Sequence, residues 1–288
     1  MKPAYRLEYQ EPQGLIDIEY DQRIGFFSMP VDHLHDHYEL YCLLEGERIY
    51  FIKDRSYRVR AGDLVFVDRH AVHKTLDAGR PDHERIVFYL KPELFTEPGA
   101  APMELGSLLK EPFSWESPIL RLPSREGEAV QRAIRDIIAE MQQPREGSGM
   151  LIRHRVLEVL LHAWRNQHRS RVLHEDAEPV LHPKTQAIVQ YLNDHYMEPL
   201  QLTMVAEDFR ISPHYLSRLF KQTTGFAFSD YVNLLRIKEA QRLLRETSLS
   251  ITEVAMRVGF GHFSHFGKMF KRTVRMSPRA YRQIYRAK

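Results

Sequence analysis

Between residues 5 and 90 the apolar positions come in short runs. The stretches 15–20, 24–28, 40–44, 48–52, 64–67 and 85–90 are apolar or alternate apolar with polar. Glycine-bearing turns separate them: Glu45-Gly46-Glu47, Ala61-Gly62-Asp63 and Ala78-Gly79-Arg80-Pro81. Runs of this length with such punctuation predict strands. Many short strands in succession predict a small barrel or sandwich. After residue 90 the period changes. Val130, Ile134, Ile137, Ile138 and Met141 recur at helical spacing and predict a helix over 127–142. Gly147-Ser148-Gly149 interrupts the pattern. Leu151, Val156, Leu157, Leu160, Leu161 and Trp164 then predict a second helix over 150–168. The stretch 169–182 is polar and contains Pro179, with Pro183 just beyond, and reads as a linker. The expected domains are therefore 1–169 (barrel about 5–90, helices about 103–169), a linker at 170–182, and a second domain at 183–288.

The second domain repeats itself. Leu219-Phe220-Lys221 recurs as Met269-Phe270-Lys271, Arg218 as Lys268 and Tyr231 as Tyr281, each 50 residues on. Val205-Ala206 recurs as Val254-Ala255 at a spacing of 49, so one residue has entered or left a turn. Each copy is a short amphipathic helix, a tight turn and a basic helix, within about 203–224 and 251–273. In the first copy 203–209 is the first helix. Ser212 is suited to cap the second and Pro213 to open it, and Gly225 suits its C-terminal cap. Leu216, Leu219 and Phe220 form the core stripe of that helix. His214, Ser217, Arg218, Lys221 and Gln222 lie off the stripe. In the second copy 251–258 and 263–273 are the helices, with Phe266, Met269 and Phe270 inward. His262, Ser264, His265, Lys268, Lys271 and Arg272 face out. Such faces carry the donors and charge that a major groove and its phosphates require. Residues 229–246 read as one long helix joining the copies.

Charge follows the same division. The 288 residues carry a net +3, yet positions 183–288 hold 17 Lys/Arg against 8 Asp/Glu. The remainder holds 24 against 30. A basic third on an acidic body points to a polyanion partner for that third, with a merely solvated basic surface as the alternative on charge alone. The single cysteine, Cys42, rules out a disulfide framework and suits a reducing, cytoplasmic setting as a buried small hydrophobe. No apolar run approaches the ~20 residues of a membrane span, and no signal peptide is evident.

Ile237-Lys238-Glu239-Ala240-Gln241-Arg242-Leu243-Leu244, Ile251-Thr252-Glu253-Val254-Ala255, Val258-Gly259-Phe260, Phe266, Phe270-Lys271-Arg272 and Ser277-Pro278-Arg279-Ala280-Tyr281-Arg282 resemble the signature of the AraC/XylS family of transcription regulators. The likeness covers about 184–284. The family usually has Gly where Arg275 stands, at the end of the second basic helix, where a left-handed cap is expected. The resemblance implies two recognition helices in successive major grooves of double-stranded DNA, about one turn (~34 Å) apart. It implies groove contacts from Arg218 and Lys268, supported by His214, Ser217 and His265. Lys221, Lys271 and Arg272 are then the phosphate contacts. Activation, the family tendency, implies contact with RNA polymerase.

In the first domain His33-Leu34-His35-Asp36-His37-Tyr38-Glu39 leads to Gly46, and Gly62-Asp63 leads to His73. This resembles the two cupin motifs over about 25–90. The opening Gly is replaced by Phe27 or shifted to Gly25, and Asp68 and His70 stand where Pro and Gly are usual. Alternate strand residues share a face, so His33 and His35 are expected to point the same way. In metal-binding cupins the positions of His33, His35, Glu39 and His73 are ligands, suited to a divalent transition metal such as Zn, Fe, Mn, Ni or Cu. In AraC-type sensors they line a pocket for a sugar or other small effector instead, and imidazole and carboxylate groups serve hydroxyls well. His37 and His70 are expected at the rim.

The fold expected is α+β in two domains: a cupin-like β-barrel with trailing helices, then an all-α domain of two helix-turn-helix units on a long helix. The function expected is an effector-responsive, sequence-specific DNA-binding transcription factor that requires no cofactor. Leu157, Leu160, Leu161 and Trp164 are candidates for a homodimer interface, or for packing on the barrel. Two alternatives stand beside this. One is a metal-responsive regulator or metal-dependent cupin enzyme, although no Ser/His/Asp array, phosphate-binding glycine loop or zinc-finger spacing points to catalysis. The other is a constitutive regulator whose barrel is only a scaffold.

Overall fold

The computed structural model describes residues 4–25, 35–79, 81–96, 103–170 and 183–286. Among the described residues nine strands come first: β1 Tyr5–Gln10, β2 Ile16–Arg23, β3 Tyr38–Glu45, β4 Glu47–Ile52, β5 Arg55–Arg60, β6 Leu64–Val67, β7 His73–Asp77, β8 His83–Leu90 and, later, β9 Ile119–Leu120. They form two antiparallel sheets, one ordered β1-β2-β8-β3-β6-β9 and a smaller one ordered β5-β4-β7. Strand alternation sorts the side chains. Tyr41, Leu43, Val65, Val67 and Val87 of the large sheet meet Tyr50, Ile52, Tyr57 and Val59 of the small one in an inner core. The opposite face of the large sheet carries Ile16, Ile18, Leu40, Cys42, Phe66, Ile86 and Phe88.

Helices cover that outer face. They are α1 Met103–Lys110, α2 Ser124–Gln142 and α3 Ser148–Ser170. Val130, Ile134 and Ile137 of α2 and Val156, Val159 and Leu160 of α3 are fully enclosed against the sheet. Leu157 and Leu161 pack partly against the same core, and Trp164 Nε1 donates to Glu111 at 3.0 Å. Of the stripe Leu157, Leu160, Leu161 and Trp164, Leu160 is thus enclosed against the barrel, while Leu157, Leu161 and Trp164 remain partly exposed. Of the expected linker, only Ser170 is described, as the last residue of α3.

Sequence pattern placed most strands but not all. Ile24 is exposed and follows the end of β2, so no strand begins there; 26–28 lie outside the described residues. β1, β5, β7 and β9 gave no apolar run of their own. β5 reads Arg-Ser-Tyr-Arg-Val-Arg and β7 His-Lys-Thr-Leu-Asp, because one face of each serves something other than an apolar core.

The second domain is helical: α4 Pro183–His195, α5 Leu202–Asp208, α6 Pro213–Thr224, α7 Phe228–Glu246, α8 Ile251–Arg257, α9 Phe263–Val274 and α10 Pro278–Arg286. Local signals set the helix ends. Ser212 Oγ accepts from Tyr215 N ahead of α6, and Ser250 with Glu253 forms a reciprocal capping box ahead of α8. Leu216, Phe220, Phe226 and Tyr231 build one core with α4 and α5. Phe260, Phe266, Phe270 and Tyr281 build a second around α7, α8 and α9.

Candidate DNA interface and barrel interior

Burial of the apolar stripes leaves the rest of α6 and α9 facing solvent. All the sequence-predicted reading residues are exposed there: His214, Ser217, Arg218, Lys221 and Gln222 on α6, and Ser264, His265, Lys268, Lys271 and Arg272 on α9, with His262 at its cap. Arg272 is held by Asp230 at 3.1 Å, an intramolecular ion pair that a DNA phosphate would have to replace. Two aromatic residues were missed. Tyr215 is 39% exposed and Phe263 51% exposed, each in the first turn of its helix. Their signal was a large ring lying off the core stripe, on the same exposed face as the named polar residues.

The helix-turn-helix corners need left-handed backbone at one residue each. Arg210 (φ 52°) supplies it in the first unit and Gly259 (φ 91°) in the second. At the ends of the second helices the choice is reversed, with Gly225 at φ 78° and Arg275 at φ 64°. Arg275 thus keeps the left-handed cap, its N–H donating to Lys271 O. A Cβ at Gly259 would stand 2.6 Å from Met197 O, so glycine is needed there for space as well as for conformation.

Within the barrel, strand alternation points Glu39, Tyr50 and His73 inward from three strands, and His35 joins them from just ahead of β3. His35 Nε2 is 3.0 Å and His73 Nε2 3.3 Å from Glu39 Oε2, and Tyr50 donates to Glu39 Oε1 at 2.5 Å. Each histidine turns its other nitrogen to a backbone carbonyl. His35 Nδ1 lies 3.0 Å from His37 O and His73 Nδ1 2.8 Å from Ala71 O. With Nδ1 protonated toward those carbonyls, the Nε2 atoms converge on a carboxylate, an arrangement that calls for a positive charge among the three. Burial pushes the Glu39 carboxyl upward, but His73 and His35 outweigh it and hold it well below the usual carboxylate range. Burial alone would lower His73, while Glu39 raises it further. Ligand atoms of His35, Glu39 and His73 all lie within 4.8 Å of one another, close enough for one ion. His33, the fourth expected ligand, lies outside the described residues. His37 is half-buried with its ring 6.0 Å from that of His35. His70 is half-buried beside Arg245 of α7. Cys42 is buried in the outer core, as expected.

Barrel and reader are in direct contact. The outer face of the small sheet presents Phe51, with Val72 alongside, to the core around Phe226 and Tyr231. Tyr231 donates to Lys53 O at 2.9 Å, Ser56 to Thr223 O at 3.0 Å, and Lys74 Nζ sits 4.8 Å over the Phe226 ring. A Cβ at Gly225 would meet Leu76 at 2.8 Å. At a second point Tyr285 of α10 donates to Asp36, next to His35, at 2.6 Å.

Comparison with known proteins agrees with both halves. An AraC-like ligand binding domain model matches residues 27–160 and a helix-turn-helix domain model matches 205–284. The HTH-type transcriptional activator RhaS of Escherichia coli is 28% identical over 279 residues, 94% of each chain. Among solved structures, the C-terminal domain of AraT, a response regulator from Geobacillus stearothermophilus, is 37% identical over 36% of this chain and 88% of its own, with a TM-score of 0.36. ToxT from Vibrio cholerae covers 94% of this chain and 98% of its own at 12% identity, with a TM-score of 0.38. With a ligand-binding barrel ahead of two helix-turn-helix units, the chain belongs to the AraC/XylS family of DNA-binding transcription regulators.

Proposed function

We propose that the protein is an effector-gated activator in which a small hydroxylated molecule, such as a sugar, enters the barrel and changes how the two reading helices engage DNA. The carrying observation is the direct seat of the small sheet on the first helix-turn-helix unit, through Phe51, Tyr231 and Thr223. β4 and β7 hold both Phe51 and Lys74 of that seat and Tyr50 and His73 of the interior. A ligand that shifts either strand therefore has unequal contacts in the two states, which gating requires. Activation follows the relative named as a transcriptional activator; contact with RNA polymerase would follow from activation, and action as a homodimer completes the reading. Met150 and Leu151, exposed on α3, are apolar residues available to a second copy. The protein acts by binding and carries out no catalysis in this reading.

The test begins with a site selected from random duplex DNA. Arg218→Ala and Lys268→Ala should each weaken it by about 1–3 kcal/mol, while Lys271→Ala weakens all sequences alike and lowers the salt slope. Unchanged binding by both of the first two variants would remove the assigned reading face. Phe51→Ala, which touches neither DNA nor the interior, should change the affinity of the effector-free chain at least threefold. An unchanged value would remove the coupling.

A second reading rests on the convergence of His35, Glu39 and His73. Two imidazoles and a carboxylate fit a divalent transition metal, and the carbonyls behind both Nδ1 atoms would orient the rings for it. Elemental mass spectrometry of untagged protein should then find about one metal ion per chain, lost in His73→Ala. Metal-free protein after incubation with Zn, Fe, Mn, Ni and Cu would leave the organic pocket alone.

A further inference from the structure

Two residues of α9 are not explained by the packing of their own domain. Phe263, the first residue of the helix, is 51% exposed. Its ring leans on that of Phe266, with centroids 6.3 Å apart and planes at 42°, and stands off the core stripe. Gly267 lies four residues on, one turn along the same side of the helix. A Cβ there would meet nothing within 4 Å, and the backbone is helical and not left-handed. Glycine inside a helix weakens it relative to alanine. Neither packing nor conformation within the domain calls for one at this place.

Their surroundings point to DNA. His262, Ser264, His265 and Lys268 are exposed around them, a setting of donors and positive charge. The first turn of a recognition helix is the part that reaches base edges in the major groove. A phenyl ring makes no conventional hydrogen bond there. What it can recognise is the C5 methyl group, which thymine alone carries among the four bases. A residue without a Cβ, one turn behind the ring, lets the helix backbone come closer to the duplex. The first unit is built differently. At a spacing of 50, Pro213 stands for Phe263, Tyr215 for His265 and Ser217 for Gly267. α6 thus has its ring two residues later and a hydroxyl in place of the glycine, so the two helices offer the groove different chemistry.

We infer that α9 reads one thymine of its half-site through Phe263, whose ring covers the C5 methyl group, and that Gly267 gives the clearance for this close approach. The inference rests on α9 being a reading helix and names one base that it reads. Burial of a single methyl group is worth about fourfold in affinity.

The test uses the full chain, at fixed ionic strength, on a site selected from random duplex DNA. The half whose base preference is relaxed by Lys268→Ala is the half under α9. Each thymine of that half is replaced singly by deoxyuridine, which removes the methyl group and keeps every hydrogen bond of the base pair. One such replacement should weaken binding of the wild type about fourfold and leave binding of Phe263→Ala nearly unchanged. Gly267→Ala should melt no lower than the wild type, since alanine favours the helix, yet bind the selected site at least threefold more weakly. An equal loss on deoxyuridine in wild type and Phe263→Ala, or no thymine whose methyl group matters, would overturn the thymine contact. Wild-type affinity in Gly267→Ala would overturn the close approach. Lys268→Ala without effect would remove α9 as a reader and this inference with it. A loss in Lys268→Ala beside a flat deoxyuridine series would keep the reader and strike the inference alone.

Discussion

Two residues with left-handed backbone show what local chemistry costs. Arg275 closes α9 at φ 64°, where an L side chain crowds the carbonyl and glycine does not. The family's usual glycine at this position is thus replaced without a change of geometry, and the strain stays in the cap. Arg275→Gly should stabilise the protein by about 0.5–1 kcal/mol, read as a higher denaturant midpoint at unchanged slope. A loss of stability would mean that the Arg275 side chain makes compensating contacts. Gly225, at the matching place in the first unit, answers to two demands, the cap and the nearness of Leu76. Only the first of these was legible in sequence, because a neighbour from another domain leaves no mark on local pattern.

Element by element, periodicity was most informative where one face alone is buried. α6, α7, α8 and α9 sit within one or two residues of their expected bounds, because an apolar stripe marks each of them and side-chain caps at Ser212 and Ser250 mark the starts of α6 and α8. α3 was legible as a helix, but the destination of its stripe was not, since a leucine row suits a barrel and a second chain equally. The structure sends Leu160 to the barrel, where it is wholly enclosed. Leu160→Ala should therefore cost about 2–5 kcal/mol of folding stability. Light scattering under conditions where the variant remains folded should show the wild-type oligomeric state. Dissociation of an oligomer with no change in stability would return this stripe to an interface between chains. The strands β5 and β7 escaped pattern reading because their outer faces carry Ser56 and Lys74 toward the reader and β7's inner face carries His73, Thr75 and Asp77.

At the scale of the molecule, buried charge ties stability to pH. His83 lies among Arg23, Arg48 and Arg85, and burial first, then those guanidinium groups, lowers its pKa to about 4. His70, at the contact with α7, is lowered to about 4 by burial and by Arg245. In the unfolded chain both titrate near the ordinary value of about 6.5. The unfolded state therefore binds more protons between these limits, and stability falls as pH drops from about 6.5 to about 4. His83→Gln should flatten the fall in melting temperature over that window relative to wild type. An identical pH profile would show that His83 is already solvated in the folded protein.

What this chain does was determined largely by its sequence alone. Repetition at a spacing of 50, with a cap, a stripe and a basic face in each copy, is local information, and helices are built from local contacts. The two reading faces were named residue by residue, and each named side chain is exposed. The convergence of His35, Glu39 and His73 was also legible, through motif spacing. Tertiary structure alone decided the rest: the arginine-rich end of the barrel and the seat of the small sheet on the first helix-turn-helix unit. These depend on a ladder that pairs residues 21 and 85, on the packing of the two sheets that sets residue 48 near them, and on a surface match between elements some 170 residues apart, such as Ser56 and Thr223. Non-local pairing of this kind is fixed by the energy of the whole packed chain, and no window of sequence contains it.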